Sequence, residues 1–426
     1  MQQGLITRYT VHCILKILKK KLITFDRVFL EKVINQNFTS RDRKMIQSIV
    51  LNSMRHYLYA EQIIYKFSKK FKKNNDSYFL LISAITQIFI LGYNDFAVIN
   101  TTVELTKDKR IKAPTSYINA ILRNIVKNKD NIKDLEFNFN SFPKWLTIRL
   151  QHWDTKQKNN FIKTIKKEPN LHVVFKNEKD LKIFKIKNTK TTKNSAALEN
   201  FSQINKINDF EKGNWWVQDF SSMMPLYLLK NNLNKKIADI CAAPGGKTFQ
   251  LIDYGANVTA FEKNSERIKI MQSNLKRLNL KCKIINIDIL KTKVFEKFDY
   301  VILDSPCSSI GTIRRNPEII FRNIIPNFKE IESTQYKLLN KAKDFLNKGG
   351  SIIYMVCSFL HEEGELQIEK FLKRNKNFSL LKFPVKIVEN SQKLINSKGY
   401  YHIAPSELDN KVLIDGFFSA ILKKND

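Results

Sequence analysis

Two cysteines in this 426-residue chain stand where an enzyme would want reactive groups: Cys307 in LDSPCSSIGTIRRNPE and Cys357 in SIIYMVCSFLHEE. Each follows a β-rich apolar run, so a parallel sheet would bring both thiols to its carboxyl edge, where open α/β sheets bind their ligands. A single cysteine in such a place is ordinarily a buried structural residue. Two at neighbouring strand ends favour nucleophilic chemistry, in which one thiolate attacks and a second group handles proton transfer or release. Asp304 and Ser305 lead directly into Cys307 and add polar groups at the same edge.

Upstream, DICAAPGGKT supplies a turn from Cys241 through Ala242, Ala243, Pro244, Gly245 and Gly246 to Lys247. Pro244 enforces the turn, the glycines allow close backbone approach, and the following helix N-terminus favours a polar ligand group. The spacing matches neither the dinucleotide fingerprint nor the Walker phosphate loop, which argues against NAD and ATP. Glu262 ends the next strand, where a carboxylate can accept both hydroxyl hydrogens of a ribose, and Asp288 ends the third, within reach of an adenine amino group. The combination points to S-adenosylmethionine, which needs ribose and adenine contacts but no cradle for a diphosphate. With that cofactor beside two thiols, the fitting substrate is a cytosine, whose C5 is a poor nucleophile until a thiolate adds to C6.

The elements that must position these groups follow from periodicity. From about Val217, the runs IADI, NVTAFE, CKIINID, FDYVILD and GSIIYMVC alternate with helical stretches that include Ser265 to Leu278 and Ile331 to Phe345. DGFFSAIL adds a further strand. That alternation predicts an α/β fold, a largely parallel doubly wound sheet with helices on both faces, over residues 217–426. Residues 1–130 predict a helical bundle: Val11, Ile14, Leu15 and Leu18 repeat at helical spacing, as do Ile46, Ile49, Val50 and Met54, with Ser40 or Asp42 as the cap of the second helix. His12 and His56 read as packing residues there, whereas Arg41, Arg43 and Arg55 are either RNA contacts or solvated charges. Residues 131–216 form a linker and small intervening lobe, in which the basic stretch from Lys182 to Ser195 faces phosphate or is a mobile loop.

Charge indicates the partner. Seventy-three Lys and Arg against 40 Asp and Glu leave a net +33, and residues 1–130 alone hold 23 basic and 9 acidic side chains. Such an excess favours a polyanion, nucleic acid first, although the abundance of Lys, Asn and Ile also reflects compositional bias. The five cysteines have neither disulfide-framework nor zinc spacing, so no metal is expected and a reduced, cytoplasmic compartment is the simpler reading. No secretory signal opens the chain. The most apolar segment, Tyr78 to Gly92, is 15 residues, short of the roughly 20 that span a bilayer, and predicts a buried helix with no membrane role.

VQDFSS from Val217, DICAAPGGKT, Glu262, Asp288, DSPCSSIGTIRRNPE, VCS with HEEGELQIEKFL, and DGFFSA together resemble the bacterial ribosomal RNA cytosine-5 methyltransferases of the Sun/Fmu type, within the Nop2/Sun family. The basic helical part resembles the NusB-like RNA-binding domain that such enzymes carry. The resemblance implies a Rossmann-like class I methyltransferase domain preceded by that helical domain and acting on 16S ribosomal RNA, and it implies no obligate protein partner. It implies that Cys241 to Lys247 line the S-adenosylmethionine pocket, that Glu262 takes the ribose and Asp288 lies by the adenine, and that Asp304 bridges cofactor and base. It further implies that Cys357 is the nucleophile and Cys307 assists release, a distinction that spacing does not reach. The family commonly has Ala where Ser305 stands and Thr where Val356 stands, so a hydroxyl is missing beside the expected nucleophile. The rival expectations are a non-catalytic RNA-binding or assembly factor on the same fold, an enzyme acting on another RNA, and a DNA methyltransferase that would use the Pro-Cys thiol instead.

Overall fold

Strands buried on both faces read as near-continuous apolar runs, and four such runs become the parallel strands Lys236–Ile240, Asn257–Glu262, Phe298–Asp304 and Leu346–Val356. The structure, a computed structural model, describes residues 3–69, 71–132, 135–199, 204–230, 234–384 and 394–425. In spatial order the sheet runs Phe378–Leu381, Phe417–Lys424, Leu346–Val356, Phe298–Asp304, Lys236–Ile240, Asn257–Glu262 and Lys283–Asn286. Phe417–Lys424 is antiparallel to both of its neighbours in this order. Ile237, Ile302, Ile353 and Met355 face one core with Phe249 and Met271 from the helices Gly246–Asp253 and Ser265–Arg277. Ala238, Val301, Leu303, Ile352 and Val356 face the other with Leu338, Leu339 and Phe371 from Phe328–Ala342 and Glu365–Arg374. The doubly wound expectation therefore holds, and Lys236–Ile240, paired on opposite sides by Asn257–Glu262 and Phe298–Asp304, marks the switch point where such sheets bind ligands.

The chain divides into two units at positions other than those expected from the sequence. One unit holds Met1–Lys167 and Ile313–Ile325; the other holds Glu168–Thr312 and Pro326–Asp426. The expected lobe 131–216 is thus split, because Lys144–Arg149 and Thr155–Ile165 are helices that group with the bundle. The rest of it groups with the large sheet as a four-stranded antiparallel sheet, Asn188–Thr192, Ser195–Leu198, Leu171–Phe175 and Trp215–Val217. The basic stretch from Lys182 to Ser195 accordingly begins in the helix Glu178–Ile183 and runs through the hairpin strand Asn188–Thr192 to the start of Ser195–Leu198. Nor is 217–426 continuous, since the RRNPE segment leaves it for the helical unit.

Within the helical unit, Val11, Ile14, Leu15 and Leu18 are fully buried, as are Ile46, Ile49, Val50 and Met54. Thr39, not Ser40 or Asp42, caps the helix Ser40–Arg55 by accepting the Asp42 N–H. The segment Ile313–Ile325 is held there by polar contacts. Phe25 N–H donates to Glu318 at 3.1 Å, Tyr57 Oη to the Ile320 carbonyl at 3.1 Å, and Arg55 Nη2 to the Arg314 carbonyl at 3.0 Å. Arg55 is buried, which settles it as a packing residue, whereas Arg41 is exposed. Lys19 is buried as well, its Nζ donating to the Phe321 carbonyl at 2.6 Å and lying 4.4 Å from the Phe321 ring and 4.9 Å from that of Tyr57. Burial lowers its ammonium to about 8. Among the described residues no helix is long and apolar enough to cross a membrane.

Replacing Lys19 with Met keeps the apolar stem but leaves the Phe321 carbonyl without its donor, an expected cost of about 1–3 kcal/mol. Denaturant unfolding measures it; a destabilisation within about 0.5 kcal/mol, the range of inert surface changes, would contradict the anchoring role.

Candidate active site

The turn after Lys236–Ile240 is shaped by backbone needs that its residues meet. Cys241 takes φ +64°, and the N–H groups of Cys241 and Ala242 both donate to the Phe261 carbonyl, at 2.9 and 3.2 Å. Gly245 has φ +111°, and a Cβ there would lie 2.4 Å from the Phe249 ring, so both conformation and space demand glycine. It caps the helix Gly246–Asp253, whose free N–H groups face the sheet edge as an anion-favouring end. Behind the turn, Asp239 is fully buried and accepts from Thr248 Oγ1 at 2.5 Å; burial pushes its carboxyl up to about 7. The Cys241 thiol is pushed up to about 12, by burial and then by Glu262 and Asp304, and is therefore a neutral wall of the site.

Around this turn the strand ends bring the expected acids together. Glu262 is 4% exposed; Oε1 accepts the Asn264 N–H at 2.9 Å, while Oε2 accepts no hydrogen bond and lies 3.6 Å from Arg267 Nη1. Arg267 also donates to the Ala243 carbonyl, tying that acid to the turn. Asp288, half-buried, caps a short turn by accepting the Leu290 N–H at 3.1 Å. Asp304 Oδ2 accepts from Lys247 Nζ at 2.7 Å. Burial alone would lower the Lys247 ammonium, but Asp304 beside it holds it above its ordinary value.

The two thiols meet. Phe298–Asp304 and Leu346–Val356 are neighbouring parallel strands with Asp304 opposite Met355, and Ser305 N–H continues the ladder to the Met355 carbonyl at 2.9 Å. Past that point Cys307 Sγ lies 3.2 Å from Cys357 Sγ, with Ser309 Oγ 3.6 Å from the latter. Their acidities are unequal. The hydrogen bond from Cys307 holds Cys357 below the usual thiol range against its burial, whereas Cys307 is pushed well up by the same bond, by burial and by the charge of Glu363. Of the two thiols, Cys357 is therefore the more readily ionised. Gly311 N–H donates to the Cys357 carbonyl at 3.0 Å and Gly416 N–H to the Gly311 carbonyl at 2.9 Å; a Cβ on Gly311 would meet the Gly416 oxygen at 1.9 Å. The DGFFSA segment is therefore a brace for both thiol loops.

Val356, where a hydroxyl was expected, is fully buried in the core with Tyr354 and Phe418, while Cys357 packs beside the core on the other face. The methyls therefore contribute to packing, and a threonine hydroxyl would be placed in that apolar cluster. Asp239, Thr248, Ser309, Gly311 and Glu363 stand inside motifs quoted from the sequence but had no role assigned to them, whereas Arg267 and Gln335 lie outside every motif and reach the site only through tertiary packing.

Comparison with known proteins agrees with this geometry. Residues 226–423 match the family described as 16S rRNA methyltransferase RsmB/F, and residues 8–127 match the NusB family. A ribosomal RNA small subunit methyltransferase B of Vibrio vulnificus is 27% identical over 91% of this chain and 93% of its own. That of Photorhabdus laumondii is 28% identical over 82% and 86%. Among solved structures, that of PH0851 covers 100% of both chains with a TM-score of 0.71 at 17% identity. That of NSun6 from Pyrococcus horikoshii covers 67% of this chain and 99% of its own, with a TM-score of 0.55 at 20% identity. The structural likenesses show the methyltransferase fold, and the two sequence matches show a segment similar to the RsmB/F methyltransferases preceded by a segment similar to the NusB family.

Proposed function

We propose that this enzyme methylates C5 of a cytosine in 16S ribosomal RNA through a covalent bond between Cys357 and C6 of the base. The observation that carries the reading is the pair of thiols 3.2 Å apart at neighbouring strand ends, beside Asp304 and Lys247. The Cys357 thiolate adds to C6 of a cytosine swung out of its RNA context, and the electron pair moves to C5. Asp304 hydrogen-bonds the base and, held by Lys247, stabilises the charge that develops in the ring. S-adenosylmethionine, when bound, supplies the methyl group that C5 takes. Cys307 then assists removal of the C5 proton, directly or through water, and the electron pair expels Cys357 from C6.

The cofactor residues follow the same reading. Cys241, Ala242, Ala243, Pro244, Gly245, Gly246 and Lys247 line the methionine side, and Asp288 lies by the adenine. Glu262 takes the ribose: its Oε2, buried and accepting no hydrogen bond, suits a hydroxyl donor. The substrate assignment is supported by the names of the relatives, by the RsmB/F match and by the surplus of basic residues, of which Lys20, Lys21, Arg41 and Lys44 are exposed on the helical unit. We assign that unit to RNA capture, without an obligate protein partner. The free thiols fit a reduced, cytoplasmic setting.

Three outcomes test this. Calorimetric titration should show S-adenosylmethionine binding at one site, weakened about 10- to 100-fold by Glu262→Ala, the value of hydrogen bonds to a charged group; binding of NADH in its place would refute the cofactor. Replacing Lys20, Lys21, Arg41 and Lys44 with Glu should weaken RNA binding and flatten its salt dependence by about one unit of slope for each phosphate interaction removed, with cofactor affinity retained. Charge reversal is the suitable design, since removing residues 1–130 would strand Ile313–Ile325. With radiolabelled cofactor and substrate RNA on a denaturing gel, Cys357→Ala should abolish methylation and adduct, while Cys307→Ala should accumulate a denaturation-resistant protein–RNA species. The opposite pattern would exchange the two roles.

A further inference from the structure

One buried carboxylate connects the loops of both thiols. Glu363 lies on the turn that follows Cys357 and is 0% exposed. Its Oε2 accepts the Ser308 N–H at 2.8 Å and Gln335 Nε2 at 3.2 Å, and the same Gln335 nitrogen donates to the Pro306 carbonyl at 3.1 Å. The peptide groups on both sides of Cys307 are thereby tied to one acid and one amide. Glu363 is itself fixed: its carbonyl accepts from Tyr354 Oη at 2.7 Å, and Tyr354 lies in the strand that leads into Cys357. Burying a carboxylate is costly unless its hydrogen bonds are supplied. Here the donors come from the release thiol's turn and from a helix behind it.

We propose that Glu363 is the positioning residue of the release step: its carboxylate, with Gln335, clamps the Pro306–Ser308 turn so that the Cys307 thiol faces Cys357. Glu363 touches neither base nor cofactor; it acts through Cys307. The inference rests on the division of labour between the thiols proposed above.

The test is the partition between adduct formation and adduct resolution, which a merely structural residue would not shift. Glu363→Gln in the full chain keeps the side chain's size but removes its charge, and Gln335→Ala removes the second half of the clamp. Both are run beside wild type, Cys307→Ala and Cys357→Ala in the denaturing-gel assay, with thermal melting and cofactor titration as controls of folding. Misplacing a reacting group by about 1 Å costs on the order of 100-fold. Glu363→Gln should therefore form the adduct but resolve it about 10- to 100-fold more slowly, so that the trapped species accumulates as in Cys307→Ala. Gln335→Ala should show a smaller accumulation in the same direction, and decides the matter if Glu363→Gln does not fold. Adduct at wild-type level in the folded variants, while Cys307→Ala still traps it, would overturn the positioning role alone. Failure of Cys307→Ala to trap would overturn the division of labour and this inference with it.

Discussion

The adjacency of two parallel strands, Phe298–Asp304 and Leu346–Val356, is the constraint on which the active site depends. Their register places Asp304 opposite Met355, and the ladder continues one bond further through Ser305. Two thiols that are far apart in sequence therefore leave the sheet side by side and meet at 3.2 Å. A shift of one residue in either strand would turn a whole row of side chains to the opposite face. Both faces are packed, Val301, Leu303 and Val356 on one and Ile302, Ile353 and Met355 on the other, so the core itself forbids that slip.

Given that contact, the surrounding charges acquire a common purpose. Cys307 and Cys357 cannot both be anions at this distance, and the environment decides between them. The hydrogen bond between them and burial oppose charge on Cys307, and the same hydrogen bond favours it on Cys357. Lys247 is paired with Asp304, so a fully charged couple stands at the site without a net charge to repel the developing anion. Asp239, pushed towards neutrality by burial, supports the cofactor turn through Thr248 rather than by its charge.

The route of the chain between the thiols is also informative. After Thr312 it leaves the catalytic unit, runs through RRNPE as part of the helical unit, and returns at Pro326. Lys19, Arg55 and Tyr57 each donate to a backbone carbonyl of that segment. A buried lysine and a buried arginine are unusual choices for such work. They explain part of the basic surplus of the helical unit as internal anchoring.

Short-range pattern was enough to read the class of fold, the cofactor turn and the two strand-end thiols, because each depends on local chemistry. Apolar runs separated by helical periods make a doubly wound sheet, and Pro-Gly-Gly before a helix makes a ligand turn. The resemblance of the motifs added the substrate class and the order of the two cysteines. What the linear pattern could not yield was whatever depends on partners distant in the chain. Thr39 replaced Ser40 and Asp42 as a cap, a displacement of the size by which helix ends commonly shift. Arg55 became a packing residue because the Arg314 carbonyl comes to it from far along the chain. Residues 131–216 were divided between two units because weak periodicity there concealed both helices and a hairpin. Glu363 stood in the motif HEEGELQIEKFL with no role assigned to it; only the packing of Ser308 and Gln335 around it, away from water, brings it to the turn of Cys307.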